Sequence, residues 1–185
     1  MMEISIHNLP KLVKDNPELI LQSFENLNLF KISIISFEGK YEYDSSPNIN
    51  SGKKNAFLNE VDAFLSFWLA DVIECEEWYG NYEQHEDVDF PKAIFQHWFL
   101  KDVEDFTLKP LTINFATKYI NEVLKYKRQV ASIRESYEGS TRDLATFQLE
   151  KENILKAIEI SYDDSWAGYR VIFLETHDEY VLFSE

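Results

Sequence analysis

The chain contains few cysteines, few basic residues and no long apolar run. Cys75 is the only cysteine among 185 residues, so an intrachain disulfide is impossible. No apolar run approaches the roughly 18 residues that a membrane-spanning helix needs. Residues 1–12 also lack the basic and apolar regions of a secretory signal. Together these absences predict a cytoplasmic protein with no membrane partner.

The shortage of basic residues argues against nucleic acid as a direct partner. The chain has 18 Lys and Arg residues against 33 Asp and Glu residues, which gives a formal charge of −15. Nucleic acids and anionic membranes are held mainly by Lys and Arg side chains. A strongly negative protein instead associates quickly with cationic surfaces, at a rate that salt reduces.

The composition is that of a folded protein. Hydrophobic residues make up 45% of the chain and aromatic residues 15%, which is more than disordered segments contain. Domains commonly have about 100–200 residues, so residues 1–185 are predicted to form a single globular domain. A chain of this length buries about 70% of its unfolded surface, enough for a stable core without disulfides.

Hydrophobic periodicity predicts an α+β fold in which several amphipathic helices pack around a largely antiparallel sheet. Helices are predicted over 17–27, 55–72, 91–103 and 112–137, and strands over 2–6, 29–37, 41–43, 154–162, 168–175 and 178–183. The last two strands form a C-terminal β-hairpin with its turn at Thr176 and His177. Residues 44–54 are predicted to be an exposed loop, and 142–153 remains open between helix and strand.

Two helices carry further expectations. Asn55 is the predicted N-cap of a core helix with an apolar stripe at helical spacing: Phe57, Leu58, Val61, Phe64, Leu65, Trp68, Leu69 and Val72. Thr112 is the predicted cap of the long helix, which carries the densest basic cluster: Lys118, Lys125, Lys127, Arg128 and Arg134. These basic residues are either solvated or paired, within the fold, with the acidic segment that follows the core helix.

The most unusual stretch is an acidic aromatic segment over residues 74–89, within a longer stretch (55–91) that has no Lys or Arg. Solvated acidic linkers are normally poor in aromatic residues. Tyr and Trp are enriched at binding hot spots, and surrounding carboxylates can meet Lys and Arg of a basic partner. The predicted partner-binding residues are Glu74, Glu76, Glu77, Trp78, Tyr79, Tyr82, Glu83, Glu86, Asp87 and Asp89. Trp78 remains open between core and interface.

Motifs for catalysis or cofactor binding are missing. There is no G-x-S-x-G elbow, and Gly52-Lys53-Lys54 lacks the other residues of a phosphate-binding loop. Residues 83–89 do not match an EF-hand, which needs ligands at alternating positions, a mid-loop glycine and a closing glutamate. They do not match H-E-x-x-H either, because position 89 is aspartate. No catalytic, metal-binding or cofactor-binding residue is therefore predicted, and no cofactor is expected.

A small, acidic, cysteine-poor domain with carboxylates and aromatic rings in one segment resembles the bacterial immunity proteins of contact-dependent inhibition and related polymorphic toxin systems. Its closing segment, DDSWAGYRVIFLETHDEYVLFSE (163–185), is similar to C-terminal hairpins of that class. The resemblance implies a non-enzymatic antitoxin whose partner is a basic toxin domain, with a nuclease favoured. Two alternatives remain open: an adaptor or nucleic-acid-mimic inhibitor of another basic protein, and a small enzyme with an unrecognised carboxylate site.

Overall fold

The structure, a computed structural model, describes residues 4–25, 31–38, 48–74, 103, 106–130, 132–135, 148–161 and 170–185. The helices bounded there are α1 (Leu9–Asp15), α2 (Pro17–Glu25), α3 (Glu60–Glu74) and α4 (Ile113–Val130). The strands are β1 (Ser33–Glu38), β2 (Asn48–Lys53), β3 (Thr107–Pro110), β4 (Ser132–Glu135), β5 (Ile154–Ser161), β6 (Val171–Thr176) and β7 (Glu179–Ser184). They form one sheet in the order β3-β5-β6-β7-β2-β1-β4, and each of these pairings is antiparallel. The predicted α+β class is confirmed.

The predicted C-terminal hairpin lies at the centre of this sheet. β6 and β7 are joined by His177 and Asp178, where the Thr176 hydroxyl accepts a hydrogen bond from the Glu179 amide and donates one to its carbonyl, both at 2.9 Å. Residues 171–174 are all buried. A strand covered on both faces needs a continuous apolar run rather than an alternating pattern, which explains the sequence VIFL.

The two faces of the sheet carry separate hydrophobic clusters. Val171 and Phe173 point towards the cluster that α1, α2 and α3 form, and the Phe173 ring meets Phe64 edge-on at 6.2 Å. Ile172 and Leu174 point towards the other cluster, which α4 covers through Ala116, Ile120 and Leu124. Because successive strand residues face opposite sides, one strand supplies both clusters.

The length of α4 matches the width of the sheet. The helix connects β3 at one edge with β4 at the other. Six strand spacings of about 4.8 Å give a width of about 29 Å, while the 18 residues of α4 span about 27 Å at 1.5 Å per residue. One helix can therefore link the two edge strands while covering the face between them.

The predicted strand over residues 2–6 is wrong where the structure describes it. Ile6–Asn8 form a 3₁₀ turn, with Ile6 fully buried, and α1 follows directly. Pro10 lies in the first turn of α1. Proline suits that position because the amide it lacks has no partner within the helix.

The predicted exposed loop over 44–54 is also wrong over Asn48–Lys53, which form β2. Asn50, Ser51 and Gly52 are buried between β1 and β7. The Asn50 side-chain amide donates to the Phe67 carbonyl at 3.4 Å, which lets a polar residue occupy this position. Strand propensity gives little sign of such a strand, because its stability comes from its neighbours.

Both core helices differ from prediction at one end. α3 begins at Glu60 rather than near Asn55, so Phe57 and Leu58 precede the helix, and Leu58 is 87% exposed instead of buried. α4 starts as predicted, with the Phe115 amide donating to Thr112 Oγ1 at 3.3 Å. It ends at Val130 instead of residue 137, because β4 pairs with β1.

Several predicted elements lie partly or wholly outside the described residues. These are the strand over 41–43, most of the helix over 91–103, and residues 142–147. Residues 148–150 have no regular structure and Lys151–Asn153 form a 3₁₀ turn, so this part of 142–153 is neither α-helix nor strand. The predicted strands over 29–37 and 154–162 correspond to β1 and β5.

Candidate functional site

The acidic aromatic segment begins where α3 ends. Glu74 is the last residue of that helix. The other predicted partner-binding residues lie outside the described residues: Glu76, Glu77, Trp78, Tyr79, Tyr82, Glu83, Glu86, Asp87 and Asp89. Whether Trp78 is core or interface therefore stays open.

The described residues on either side of this stretch pack on the same side of the sheet. α3 contributes Phe64 and Phe67 to the cluster that it shares with α1 and α2. Val103, the next described residue after Glu74, is fully buried in that cluster. α3 and Val103 therefore pack on the same side of the sheet.

Charge is unevenly distributed along the chain. Basic and acidic residues are nearly equal in number within the described ranges, although the whole chain carries 18 basic and 33 acidic residues. Most of the formal charge of −15 consequently belongs to the other residues. The acidic aromatic segment holds a large part of it.

Within the described fold, one group of charged and polar side chains joins α3, β5, β6 and β7 to the segments that precede α1 and α3. We call it the Glu60 cluster; its members are Ser5, Lys54, Glu60, Lys156, Glu175 and Tyr180. Sequence analysis missed it, because the ion-paired partners are far apart in the chain and follow no motif.

The carboxylates of the Glu60 cluster are held by ion pairs and hydrogen bonds. Glu60 Oε1 accepts from the Ser5 hydroxyl at 2.7 Å and from the Ile6 amide at 2.8 Å, while Glu60 Oε2 accepts from Lys156. Lys156 also lies 3.4 Å from Glu175 Oε2. Lys54 pairs with Glu175 Oε1 at 2.6 Å. Because the carboxylates of Glu60 and Glu175 both have partners within the fold, the arrangement is suited to holding these parts of the structure together.

Two pKa values in the Glu60 cluster are shifted. Burial raises the pKa of Glu60, but hydrogen bonds from Lys156, Ser5 and the Ile6 amide outweigh it, so its pKa lies below the ordinary value. Burial and the charges of Glu175 and Glu60 raise the pKa of Tyr180. Both groups therefore keep their ordinary neutral-pH states: Glu60 ionised and Tyr180 protonated.

A second cluster lies under the first turns of α4. The Phe115 and Tyr119 rings stack at 6.0 Å, and the Arg170 guanidinium lies 4.6 Å from the Tyr119 centroid. Arg170 pairs with Glu159 at 2.7 Å, and the Tyr119 hydroxyl donates to Glu185 at 2.5 Å. Burial and Glu185 raise the pKa of Tyr119 to about 12. These contacts fix the Phe115 ring at the surface.

The basic residues predicted to lie together on the long helix differ in exposure and in the element to which they belong. Lys118 and Lys125 are exposed, Lys127 and Arg128 are half-buried, and Arg134 belongs to β4. Lys118 forms a loose ion pair with Glu122 at 3.9 Å. The proposed pairing of these residues with the acidic aromatic segment stays a prediction.

The described part of the chain shows neither a metal cluster nor a membrane span. Its His, Cys, Asp and Glu residues include no group of three or more that could hold a metal ion. His7 and His177 are exposed, while His85 and His97 lie outside the described ranges. None of the described helices is both long and apolar enough to cross a membrane.

No protein-family model matches the chain, and comparisons with curated proteins and with solved structures found no match. The functional proposal therefore rests on the sequence, through its charge pattern and its resemblance to a class of proteins.

Proposed function

We propose that the protein is a bacterial immunity protein that acts in the cytoplasm and neutralises a cognate basic toxin domain, with a nuclease as the favoured target. Its binding surface is the acidic aromatic segment, residues 74–89. The protein acts by binding, without catalysis and without a cofactor. The resemblance of the chain to immunity proteins and its charge pattern support this function together.

The main supporting observation is the concentration of negative charge in one stretch of the sequence, because residues 74–89 contain seven Asp and Glu residues and no Lys or Arg. A protein that needed acidic residues only for solubility could spread them over its whole surface. Here many of them lie in one stretch between α3 and Val103, interleaved with Trp78, Tyr79 and Tyr82. Aromatic rings supply buried contact area and carboxylates supply attraction to Lys and Arg, which suits a basic protein partner.

Inhibition of a nuclease follows from the same chemistry. Nucleases hold phosphates with Lys and Arg. Carboxylates of the acidic aromatic segment would occupy that positive surface and exclude RNA or DNA. Electrostatic attraction would also accelerate association, which matters for a protein that must intercept a toxin before it acts.

Affinity capture from the native cell tests the partner. The interface variant carries Glu76→Lys, Glu77→Lys, Glu86→Lys and Asp87→Lys. Its control carries the same charge change at exposed positions of the described fold: Glu18→Lys, Glu150→Lys, Glu152→Lys and Asp178→Lys. Mass spectrometry should find one basic protein with the wild type and the control. The interface variant should lose it, since removing buried charge pairs costs about 2–5 kcal/mol.

Equal losses with both variants would mean that net charge alone governs capture, and the proposed surface would be wrong. Equal capture by all three proteins would place the interface elsewhere. Recovery of a basic protein without toxic activity would favour the adaptor function.

A further inference from the structure

The outer side of α4 carries an exposed row of aromatic and charged residues. We call it the α4 outer stripe; its members are Phe115, Lys118, Glu122, Lys125 and Tyr126. Phe115 is 46% and Tyr126 61% exposed, and the side chains of Lys118 and Glu122 are 75% and 67% exposed. The spacing of three and four residues puts all five on one side of the helix, opposite buried Ala116, Ile120 and Leu124.

The order of residues along this stripe is self-complementary. When two identical helices pack antiparallel across a two-fold axis, facing residues have numbers with a constant sum. With the axis near residue 120, Lys118 faces Glu122 of the second copy, and Glu122 faces Lys118. Phe115 then faces Lys125 and Tyr126, which allows cation–π and aromatic contacts.

We propose that the α4 outer stripe is a self-association surface, on which a second copy of this chain docks antiparallel across a two-fold axis. Charge complementarity identifies the occupant, because a second copy in this orientation places Glu122 opposite Lys118 and Lys118 opposite Glu122. The stripe shares no residue with the acidic aromatic segment, so this dimer is proposed independently of the toxin partner.

The charges also select one register. Shifting the axis by about half a turn, to near residue 122, would place Glu122 against Glu122 and Lys118 beside Tyr126 and Lys125. Like charges in contact disfavour that arrangement, so the stripe specifies one alignment as well as attraction. Specificity of this kind requires residues of both signs in a fixed order, which the stripe has.

One end of the stripe is held rigid before association. Phe115 stacks on Tyr119 with an interplanar angle of 8°, and the Arg170 guanidinium lies 5.9 Å from the Phe115 centroid. An aromatic side chain that is already fixed loses little conformational entropy on binding. Its exposed face is therefore a suitable contact for a second copy.

The size of the stripe indicates a weak dimer. Residues 115–126 cover about 17 Å of helix, so the contact falls below the roughly 1,000 Å² expected of a stable interface. Each chain also carries a formal charge of −15. At about 0.15 M salt the Debye length is about 8 Å, which screens distant repulsion more than contacts within the stripe.

Sedimentation velocity at concentrations up to about 1 mM, in near-physiological salt, tests the proposal. The wild type should show a reversible monomer–dimer equilibrium. Lys118→Glu and Glu122→Lys should each remain monomeric, because each puts like charges opposite each other. Lys14→Glu, an equal charge change on an exposed residue of α1, should dimerise like the wild type. Circular dichroism would establish that all variants are folded.

Mixing the two monomeric variants gives the decisive result. In the mixed pair the two introduced side chains, which have opposite charges, face each other, and the unchanged Glu122 of one chain faces the unchanged Lys118 of the other. Both contacts are then attractive. An equimolar mixture of Lys118→Glu and Glu122→Lys chains should therefore dimerise, with the same total charge as the wild-type dimer. A monomeric wild type, a persistent Lys118→Glu dimer, or a mixture that stays monomeric would each overturn the proposal.

Discussion

At Gly52 in β2, even a methyl side chain would collide with its neighbours. A Cβ atom there would lie 2.6 Å from Cε2 of the Phe57 ring and 2.9 Å from the Lys31 carbonyl oxygen. The Phe57 ring also packs edge-on against Phe67 and Tyr180. The glycine therefore allows the residues before α3 to lie directly on the sheet, which accounts for Gly52 more fully than a phosphate-binding loop does.

Gly52→Ala should lower the free energy of unfolding by about 1–3 kcal/mol, the usual cost of overpacking. Phe57→Leu should relieve part of that cost in the double mutant. Urea denaturation of both single variants and the double variant measures the coupling between the two sites. Strictly additive effects would show that the ring is not what excludes a larger residue.

Glu60 links stability to pH. Its folded-state pKa is lowered, so the ionised carboxylate contributes stability above the unfolded pKa, and this contribution is lost as pH falls through the folded pKa. Glu60→Gln should cost about 1–3 kcal/mol at pH 7, since hydrogen bonds to charged groups are worth about 1.5–3 kcal/mol and Lys156 is partly screened by solvent.

Urea denaturation between pH 7 and pH 3 would measure this dependence. The difference between the wild type and Glu60→Gln should shrink as the pH approaches and passes below the ordinary glutamate pKa. Asp15→Asn, which breaks the exposed Lys11–Asp15 pair, should have little effect. A difference that stayed constant with pH would contradict an ionic role for Glu60.

At the level of elements, the observed start of α3 differs from the sequence-based prediction. Asn55 was the predicted N-cap. In the structure the Asn59 side chain accepts from the Val61 amide at 2.9 Å and the Asp62 amide at 3.0 Å. These are two of the donors that the first turn of a helix leaves without intrahelical partners.

Asn59→Ala should therefore reduce stability by about 1 kcal/mol, the typical cost of losing an N-cap. Asn55→Ala should change it by less than about 0.5 kcal/mol, as most exposed substitutions do. Thermal or urea denaturation of the two variants compares them directly. A larger effect at Asn55 would contradict the observed cap.

Elements with strong apolar patterns were the predictable ones. The stripe of α3 from Val61 onwards and the apolar run of β6 both indicate burial without knowledge of their neighbours. β2 could not be predicted, because Asn50 and Gly52 are stabilised by contacts with Phe67 and Phe57, residues of other elements. The end of α4 was misjudged for the same reason, since β4 is specified by pairing with β1.

At the scale of the whole molecule, charge distribution connects the fold with the proposed function. The acidic aromatic segment was predictable as a candidate site because composition alone reveals it. The Glu60 cluster was not, since Lys54, Glu60, Lys156 and Glu175 are brought together only by the assembled sheet and α3. A local charge pattern can be recognised in sequence, while a charge network across several elements requires the fold.

Neutralisation of the captured partner tests the proposed antitoxin function most directly. The partner's cleavage of RNA and DNA would be measured while the wild-type protein is added in increasing amounts. Activity should fall to zero near one equivalent of the wild type or of the control variant. The control carries Glu18→Lys, Glu150→Lys, Glu152→Lys and Asp178→Lys. The interface variant should require a large excess, because its introduced lysines repel the basic partner. It carries Glu76→Lys, Glu77→Lys, Glu86→Lys and Asp87→Lys. Undiminished cleavage in the presence of excess wild-type protein would contradict inhibition of a nuclease. Equal inhibition by all three proteins would contradict the acidic aromatic segment as the binding surface.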